Sequence, residues 1–165
     1  MLRASALKGN AARVINIGSI AGVITPPFFG VYSGSKHAVE AITDSLRLEV
    51  GRMGISVSLL QPGSIDTSIE GKMIEQARNQ TTKDIKGTYS ARMGKIHDLL
   101  EYTGSSVFNK KMFLSSTDKT TAAILHALES EYPDTRYKVG PDAILLPLLS
   151  YLPDRMRDLV YNTAV

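Results

Sequence analysis

The chain has 165 residues, of which 43% are apolar and 21% charged, as is typical of one globular domain with its own core. Its formal charge of +3 comes from 19 Lys and Arg residues scattered among 16 acidic residues, so no basic run indicates a nucleic-acid partner. Because cysteine is absent, disulfides, thiolate metal sites and a cysteine nucleophile are excluded.

Neither the start nor the most apolar part of the chain has the composition of a membrane-inserting segment. The segment Met1 to Val14 lacks the continuous apolar run of a signal peptide. The stretch Ala143 to Leu152 is broken by Pro147 and is far shorter than the roughly 20 residues that cross a bilayer. We therefore predict a cytoplasmic protein.

The first part of the chain predicts two strands joined by a long helix. Val14 to Ile17 and Ile55 to Leu60 are short apolar runs that end at Gly18 and at Gln-Pro-Gly. Between them, Tyr32 to Met53 contains no proline and repeats apolar residues at helical spacing; these are Ala38, Val39, Ile42, Leu46 and Val50. A connection of that length favours a parallel crossover over a hairpin and indicates an α/β layer fold.

The rest of the chain predicts a polar region followed by a second crossover. The polar region extends to Ser116, with short helices around Gly71 to Arg78 and Ala91 to Tyr102, as in a substrate-covering insertion. Thr117 to Glu131 predicts a helix, and Arg136 to Val139 a brief strand. Beyond them, the tail is apolar and then amphipathic, and Pro147 and Pro153 divide it.

Three residues could carry chemistry. Tyr32 and Lys36 are four residues apart near the start of the long helix and therefore share one face. A neighbouring ammonium stabilises phenolate, so the pair is suited to proton transfer. Ser19 lies between Gly18 and Gly22 at the end of the first strand, and ligands bind at this edge of open α/β sheets.

Three motifs resemble those of the classical short-chain dehydrogenase/reductase family. They are INIGSIAG with its serine, YSGSK with Tyr-x-x-x-Lys, and LLQPGSIDT with Pro-Gly, and they follow in the family's order on strand, helix and strand. Ser19 and Tyr32 are 13 positions apart. The tail TRYKVGPDAILLPLLSYLPDRMRD resembles the retinol and hydroxysteroid dehydrogenase branch.

The resemblance implies a role for each of the three residues. Tyr32 would be the general acid and base at the carbonyl or alcohol oxygen, Ser19 would hydrogen-bond the same oxygen, and Lys36 would also hold the nicotinamide ribose. Hydride would pass between the substrate carbon and NAD or NADP. The two dinucleotides cannot be distinguished, because the side chain that meets the ribose 2′ position follows a strand with no counterpart in this sequence.

The resemblance also implies cofactor contacts after the second strand. Pro62 and Gly63 would form the turn beside the nicotinamide. The backbone of Ile65 and the hydroxyl of Thr67 would meet its carboxamide, and Tyr32 and Lys36 complete the expected cofactor-binding set.

By resemblance, the chain corresponds to the C-terminal half of a Rossmann-like, doubly wound parallel sheet of about three strands. Residues 1–63 would be the catalytic βαβ core, 64–116 the substrate-loop region and 117–165 the C-terminal helix, strand and apolar tail. The family's glycine-rich turn, Asn-Asn-Ala-Gly segment and catalytic asparagine have no counterpart. We therefore expect a truncated product whose 165 residues alone show no turnover, since cofactor placement can be worth roughly 7 to 11 kcal/mol.

The expected substrate is a small apolar alcohol or ketone, such as a retinoid or steroid, and the expected assembly is a homo-oligomer. For the tail from Pro141 to Val165, contact with a membrane surface is an alternative to packing against the domain.

The same residues allow other interpretations. Ser19 taken alone could be a helix-capping residue. His37 could serve as a proton relay or simply face solvent, whereas His97 and His126 lack ligand-spaced partners, so no metal site is predicted. A hydrolase elbow is disfavoured because the G-x-S-x-G spacing fails. An inactive module that pairs through the Tyr32 to Met53 helix is the alternative function.

Overall fold

The described residues form a three-stranded parallel sheet. The computed structural model describes residues 1–2, 7, 11–26, 29–67 and 114–164, with side chains as far as Tyr161. Within these ranges, β1 (Ala12–Ile17) pairs with β2 (Ile55–Pro62), and β2 pairs with β3 (Arg136–Val139). The helices around the sheet are α1 (Gly30–Val50), α2 (Thr117–Glu129), α3 (Pro141–Leu145) and α4 (Asp154–Ala164). The parallel pairing confirms the predicted α/β architecture.

β2 is the central strand, and its two faces are covered by different helices. Leu59 and Leu60 point to opposite faces because successive strand residues alternate, and both are fully buried. Gln61, on the face of Leu59, donates from Nε2 to Glu40 Oε1 of α1 at 2.7 Å. Leu60 instead packs in a cluster with Ala127 of α2. The sheet therefore lies between α1 and α2.

Polar residues set how α1 lies on the sheet. Ser33 and Thr43 are its buried residues. Thr43 Oγ1 accepts a hydrogen bond from Asn16 Nδ2 of β1 at 2.9 Å and donates to the carbonyl of Val39 at 2.6 Å. Ile42, which belongs to the predicted apolar stripe, is 62% exposed. The side of α1 that meets the sheet therefore includes small polar residues and leaves part of the apolar stripe outside.

The predicted bounds of the two long helices needed small corrections. α1 begins at Gly30, two residues before the predicted start, and ends at Val50, where a 3-10 turn continues the chain. α2 ends at Glu129 because Ser130 is extended, with Pro133 shortly after it. The short helices predicted around Gly71 to Arg78 and Ala91 to Tyr102 lie outside the described residues.

The C-terminal region consists of two helices with a 3-10 turn between them. The turn spans Leu146–Tyr151 and contains Pro147, while Pro153 precedes α4. The predicted division of the tail at its two prolines is confirmed. Large apolar side chains in this region are exposed to solvent, namely Ile144, Leu145, Leu148, Tyr151 and Met156.

One arginine of β3 forms ion pairs with α1. Arg136 Nη2 lies 2.6 Å from Asp44 Oδ2, and its Nε lies 3.5 Å from Glu40 Oε2. The hydrogen bond from Arg136 holds the pKa of Asp44 below its ordinary value, and Arg47 contributes to the same shift. These contacts fasten the third strand to the helix that carries the candidate catalytic pair.

Arg136→Gln should lower the free energy of unfolding by about 1 kcal/mol at pH 7, because partly exposed ion pairs contribute little. The folded-state pKa of Asp44 is lowered, so its contribution is present above the ordinary value of 3.8 and is lost as the pH falls through the folded value. Urea unfolding at pH 7 and near pH 2.5 measures the loss of unfolding free energy at each pH. Arg155→Gln on exposed α4 is the control for the loss of a positive charge. An equal loss at both pH values would contradict the assignment.

Candidate functional site

Ser19 follows β1 and caps a 3-10 turn over Ile20–Gly22. It is 9% exposed, and its Oγ accepts a hydrogen bond from the N–H of Ala21 at 3.2 Å. A hydroxyl that accepts one bond keeps its own hydrogen for donation to another oxygen. Ser19 can therefore cap the turn and also donate to a carbonyl or alcohol oxygen at this edge of the sheet.

The turn after Ser19 packs directly on α1 at Gly22. A β-carbon at Gly22 would lie 2.9 Å from the carbonyl oxygen of Lys36 and 3.0 Å from Cγ of Glu40. The turn is also tied to β2, because the N–H of Gly18 donates to the carbonyl of Leu60 at 2.8 Å. Backbone packing therefore fixes the serine turn against the helix that carries Tyr32.

Tyr32 and Lys36 are together on the first turns of α1. Nζ of Lys36 lies 5.8 Å from the centroid of the Tyr32 ring and donates a hydrogen bond to the carbonyl of Ile17 at 3.1 Å. A cation at this distance is attracted to the face of the ring. The Tyr32 side chain is 39% exposed, and its ring meets Phe29 edge-on at 6.5 Å. Lys36 thus links Tyr32 to the carboxyl end of β1.

The predicted cofactor turn follows the carboxyl end of β2. Pro62 is the last residue of that strand, and the N–H of Gly63 donates to the carbonyl of Val139 at 2.9 Å. Ile65 forms a parallel bridge with Ser115. Thr67 is exposed, and no contact of its hydroxyl links it to the other candidates within the described residues.

Comparison with known proteins shows which family the chain is similar to. The family model described as short chain dehydrogenase matches residues 1–78. An NADPH-dependent 3-dehydrocapnine reductase of Ornithobacterium rhinotracheale is 37% identical over 150 residues, covering 90% of this chain and 49% of its own length. These matches support the assignment of the chain to the short-chain dehydrogenase family.

Two further relatives are a hydroxysteroid dehydrogenase and a retinol dehydrogenase, the two kinds of enzyme that the tail of this chain resembles. The bovine (Bos taurus) 17-beta-hydroxysteroid dehydrogenase type 6 is 36% identical over 160 residues, and the human retinol dehydrogenase 16 is 30% identical over 154 residues. Each comparison covers 90% of this chain and 47% of the relative. The chain therefore spans about half the length of the curated relatives it matches.

A solved short-chain dehydrogenase from Streptomyces avermitilis has a similar fold. It aligns with a TM-score of 0.59 at 26% identity, covering 96% of this chain and 52% of its own. The expectation of a Rossmann-like parallel sheet is confirmed by this likeness and by the three parallel strands.

A cavity lies beside the start of α1. It has a volume of about 640 Å³ and is lined by Val23, Ile24, Thr25, Pro26, Gly30, His37, Ser150, Arg157, Asp158 and Tyr161. Burial raises the pKa of the Tyr161 phenol at its α4 side, against the opposing charge of Arg157. The described wall of the cavity is a mixture of apolar and polar groups.

The histidines have structural contacts. His37 is exposed, with Nδ1 2.8 Å from the carbonyl of Ser33, and it lines the cavity. Nδ1 of His126 lies 2.8 Å from the hydroxyl of Tyr137. His97 lies outside the described residues. In the described part of the chain, no cluster of three His, Asp or Glu residues could hold a metal ion, and no helix could span a membrane.

Sequence reasoning missed one buried acid next to the predicted cofactor turn. Asp142 is 4% exposed, and its carboxylate accepts a hydrogen bond from the N–H of Ser64 at 2.5 Å. The signal available in the sequence was Gly140-Pro141-Asp142 directly after a strand, a pattern typical of a helix start. That pattern does not indicate which distant backbone group the carboxylate binds.

Replacing Gly22 with alanine should displace the serine turn from α1, because the added β-carbon meets the Lys36 carbonyl. We expect Gly22→Ala to lower the free energy of unfolding by about 1–3 kcal/mol. Gly34 is the matched control: it lies on α1 with no atom within 4 Å of an added β-carbon, so Gly34→Ala should be neutral or stabilising. Urea unfolding measures the stability of both variants. Equal stabilities would contradict the packing argument.

Proposed function

We propose that this chain carries the acid–base site of an NAD- or NADP-dependent oxidoreductase that interconverts an alcohol and its carbonyl compound. The observation that supports it most directly is the contact of Lys36 with both the Tyr32 ring and the carbonyl of Ile17, at the sheet edge where Ser19 begins its turn. The relatives named above are dehydrogenases and reductases, and one is NADPH-dependent.

The residues at this edge suit a nicotinamide dinucleotide by the chemistry of their donors. Lys36 has three N–H donors, one of which already reaches Ile17, so the others can hold ribose hydroxyls. The backbone at Gly63 is fixed by its bond to Val139 and offers a rigid wall for a planar ring. When bound, the dinucleotide supplies or accepts the hydride.

In the proposed reaction, three side chains share the proton transfer and the stabilisation of charge on oxygen. They are Tyr32, Ser19 and Lys36. In the reducing direction, the Tyr32 hydroxyl gives its proton to the substrate oxygen and becomes phenolate, and it takes a proton back in oxidation. Ser19 donates its hydroxyl hydrogen to the same oxygen and orients it. The Lys36 ammonium stabilises the phenolate by its charge.

We further propose that the substrate is a small apolar alcohol or ketone of the retinoid or steroid kind. The named hydroxysteroid and retinol dehydrogenases support this class. The cavity beside Gly30 is large enough for part of such a molecule, and its polar α4 side could orient an oxygen. Contact of the tail with a membrane surface stays a prediction. It is supported by the exposed apolar residues between Ile144 and Met156.

Tyr32→Phe should abolish turnover, with a loss of at least about 100-fold, because the ring remains while the proton donor is removed. The measurement is a panel assay with NAD and NADP on retinol, a hydroxysteroid and their carbonyl forms. It uses the protein expressed from its complete reading frame.

Dinucleotide binding of the same variant, measured by isothermal titration, should stay within about threefold of the wild type, since the Lys36 donors remain. Tyr151→Phe, an exposed tyrosine on the 3-10 turn, is the control for loss of a phenol. Equal turnover of Tyr32→Phe and the wild type would overturn the role of Tyr32. A wild type inactive on every substrate and without dinucleotide binding would favour the inactive pairing module.

We also propose that α1 pairs subunits through its outward side. Val31 and Ile42 lie on one face of the helix, since 11 residues make just over three full turns, and they are 93% and 62% exposed. Leu48 is also exposed, but it lies about a third of a turn away from that face. Apolar residues grouped on one side of a helix are suited to burial against a second copy.

Ile42→Asp should shift the protein from oligomer to monomer, because a carboxylate at the centre of an apolar interface is not solvated. Sedimentation velocity at micromolar concentration measures the change. Tyr151→Asp, at an aromatic residue on the C-terminal turn that is 85% exposed, is the control and should leave the assembly unchanged. An unaltered assembly of Ile42→Asp would exclude α1 as the interface.

A further inference from the structure

We propose that Asp142 is a positioning residue that fixes the Pro62–Gly63–Ser64 turn and thereby the nicotinamide end of the cofactor site. This inference rests on the proposed function for its ligand. Its structural part, the clamp on the turn, stands on contacts alone.

The Asp142 carboxylate is buried and each of its oxygens accepts a backbone hydrogen bond. Oδ2 accepts from the N–H of Ser64 at 2.5 Å, and Oδ1 accepts from the N–H of Ala143 at 2.9 Å. Asp142 is 4% exposed. Hydrogen bonds to an ionised acceptor are stronger than neutral ones, so this pair holds the turn firmly to the start of α3.

Two glycines make room for this carboxylate. A β-carbon at Gly63 would collide with the Asp142 carboxylate, and one at Gly140 would lie 2.6 Å from Oδ1. Gly140 also has a φ of 109°, which side-chain-bearing residues rarely adopt. The acid is therefore packed between the ends of β2 and β3, where only glycine allows the close approach.

The same turn is held from two further sides. The N–H of Gly63 donates to the carbonyl of Val139, and the carbonyl of Ser64 accepts from the N–H of Ser115, both at 2.9 Å. These are backbone contacts that any residue type could make. Asp142 supplies the side-chain contact that fixes the direction of the Ser64 N–H, and hence the plane of the peptide between Gly63 and Ser64.

Loss of that contact should act on one end of the cofactor. If the turn borders the nicotinamide, its relaxation weakens interactions with the ring and leaves the adenine half of the dinucleotide untouched. A general loss of fold would weaken both halves alike. Ligands that differ by the nicotinamide riboside therefore separate positioning from mere stability.

The experiment compares the wild type with Asp142→Asn in the protein expressed from its complete reading frame. Asparagine keeps the shape of the side chain but turns an NH₂ group toward one of the two N–H donors, which cannot then be satisfied. Isothermal titration uses NAD, NADP and ADP-ribose, with the 2′-phosphate of ADP-ribose where NADP is preferred. We expect the dinucleotide Kd to rise roughly tenfold and the ADP-ribose Kd to stay within about twofold.

A second readout does not depend on any ligand. Amide hydrogen exchange at Ser64 in the ligand-free protein should accelerate at least about tenfold in Asp142→Asn, while exchange in the middle of β2 stays unchanged. Asp118→Asn, the same substitution at an exposed acid of α2, is the matched control and should change neither binding nor exchange.

The outcomes separate the two proposals. Equal weakening of dinucleotide and ADP-ribose, or no change in either, would overturn the positioning role. Unchanged exchange at Ser64 would overturn the clamp itself. The wild type could bind none of these ligands while exchange at Ser64 still accelerates in Asp142→Asn. That result would exclude the proposed cofactor and would still support the contact of Asp142 with the turn.

Discussion

Burial of β2 on both faces is the constraint on which the rest of the structure depends. Because Leu59 and Leu60 point in opposite directions and both are fully buried, one helix must cover each face. The parallel pairing of β2 with both neighbours brings the carboxyl ends of all three strands to one edge. This arrangement brings three groups to the same edge of the sheet, because each lies at or just beyond the end of a strand. They are Ser19, the carbonyl that accepts from Lys36, and Gly63.

The two turns at this edge are placed mainly by backbone packing. The serine turn approaches α1 through Gly22, and the Pro-Gly turn approaches the Asp142 carboxylate through Gly63. Side chains at these two glycines would push the turns outward, away from the helix and from α3. The glycines therefore act on the candidate site indirectly, by allowing the groups that bind or react to lie close enough together.

Much of this could be predicted from the sequence, and the exceptions have physical reasons. The strands were recognisable because β2 and β1 are short apolar runs with clear ends, and Tyr32 and Lys36 because their spacing is local. The buried side of α1 was not recognisable, since Thr43 is held by a hydrogen bond to Asn16, which lies on a strand 27 positions earlier. Asp142 was missed for the same reason, because its partner Ser64 is 78 positions away. Local patterns cannot report such distant partners.

Ser19 illustrates why a structural role and a chemical role need not compete. Its oxygen accepts from the N–H of Ala21, and this bond holds the hydroxyl at the first residue of the turn. A serine fixed in that way has lost rotational freedom before any ligand arrives, so less entropy is lost when its hydrogen is donated to a substrate oxygen. The capping bond is therefore compatible with the proposed role of Ser19, in which its hydroxyl orients a substrate oxygen.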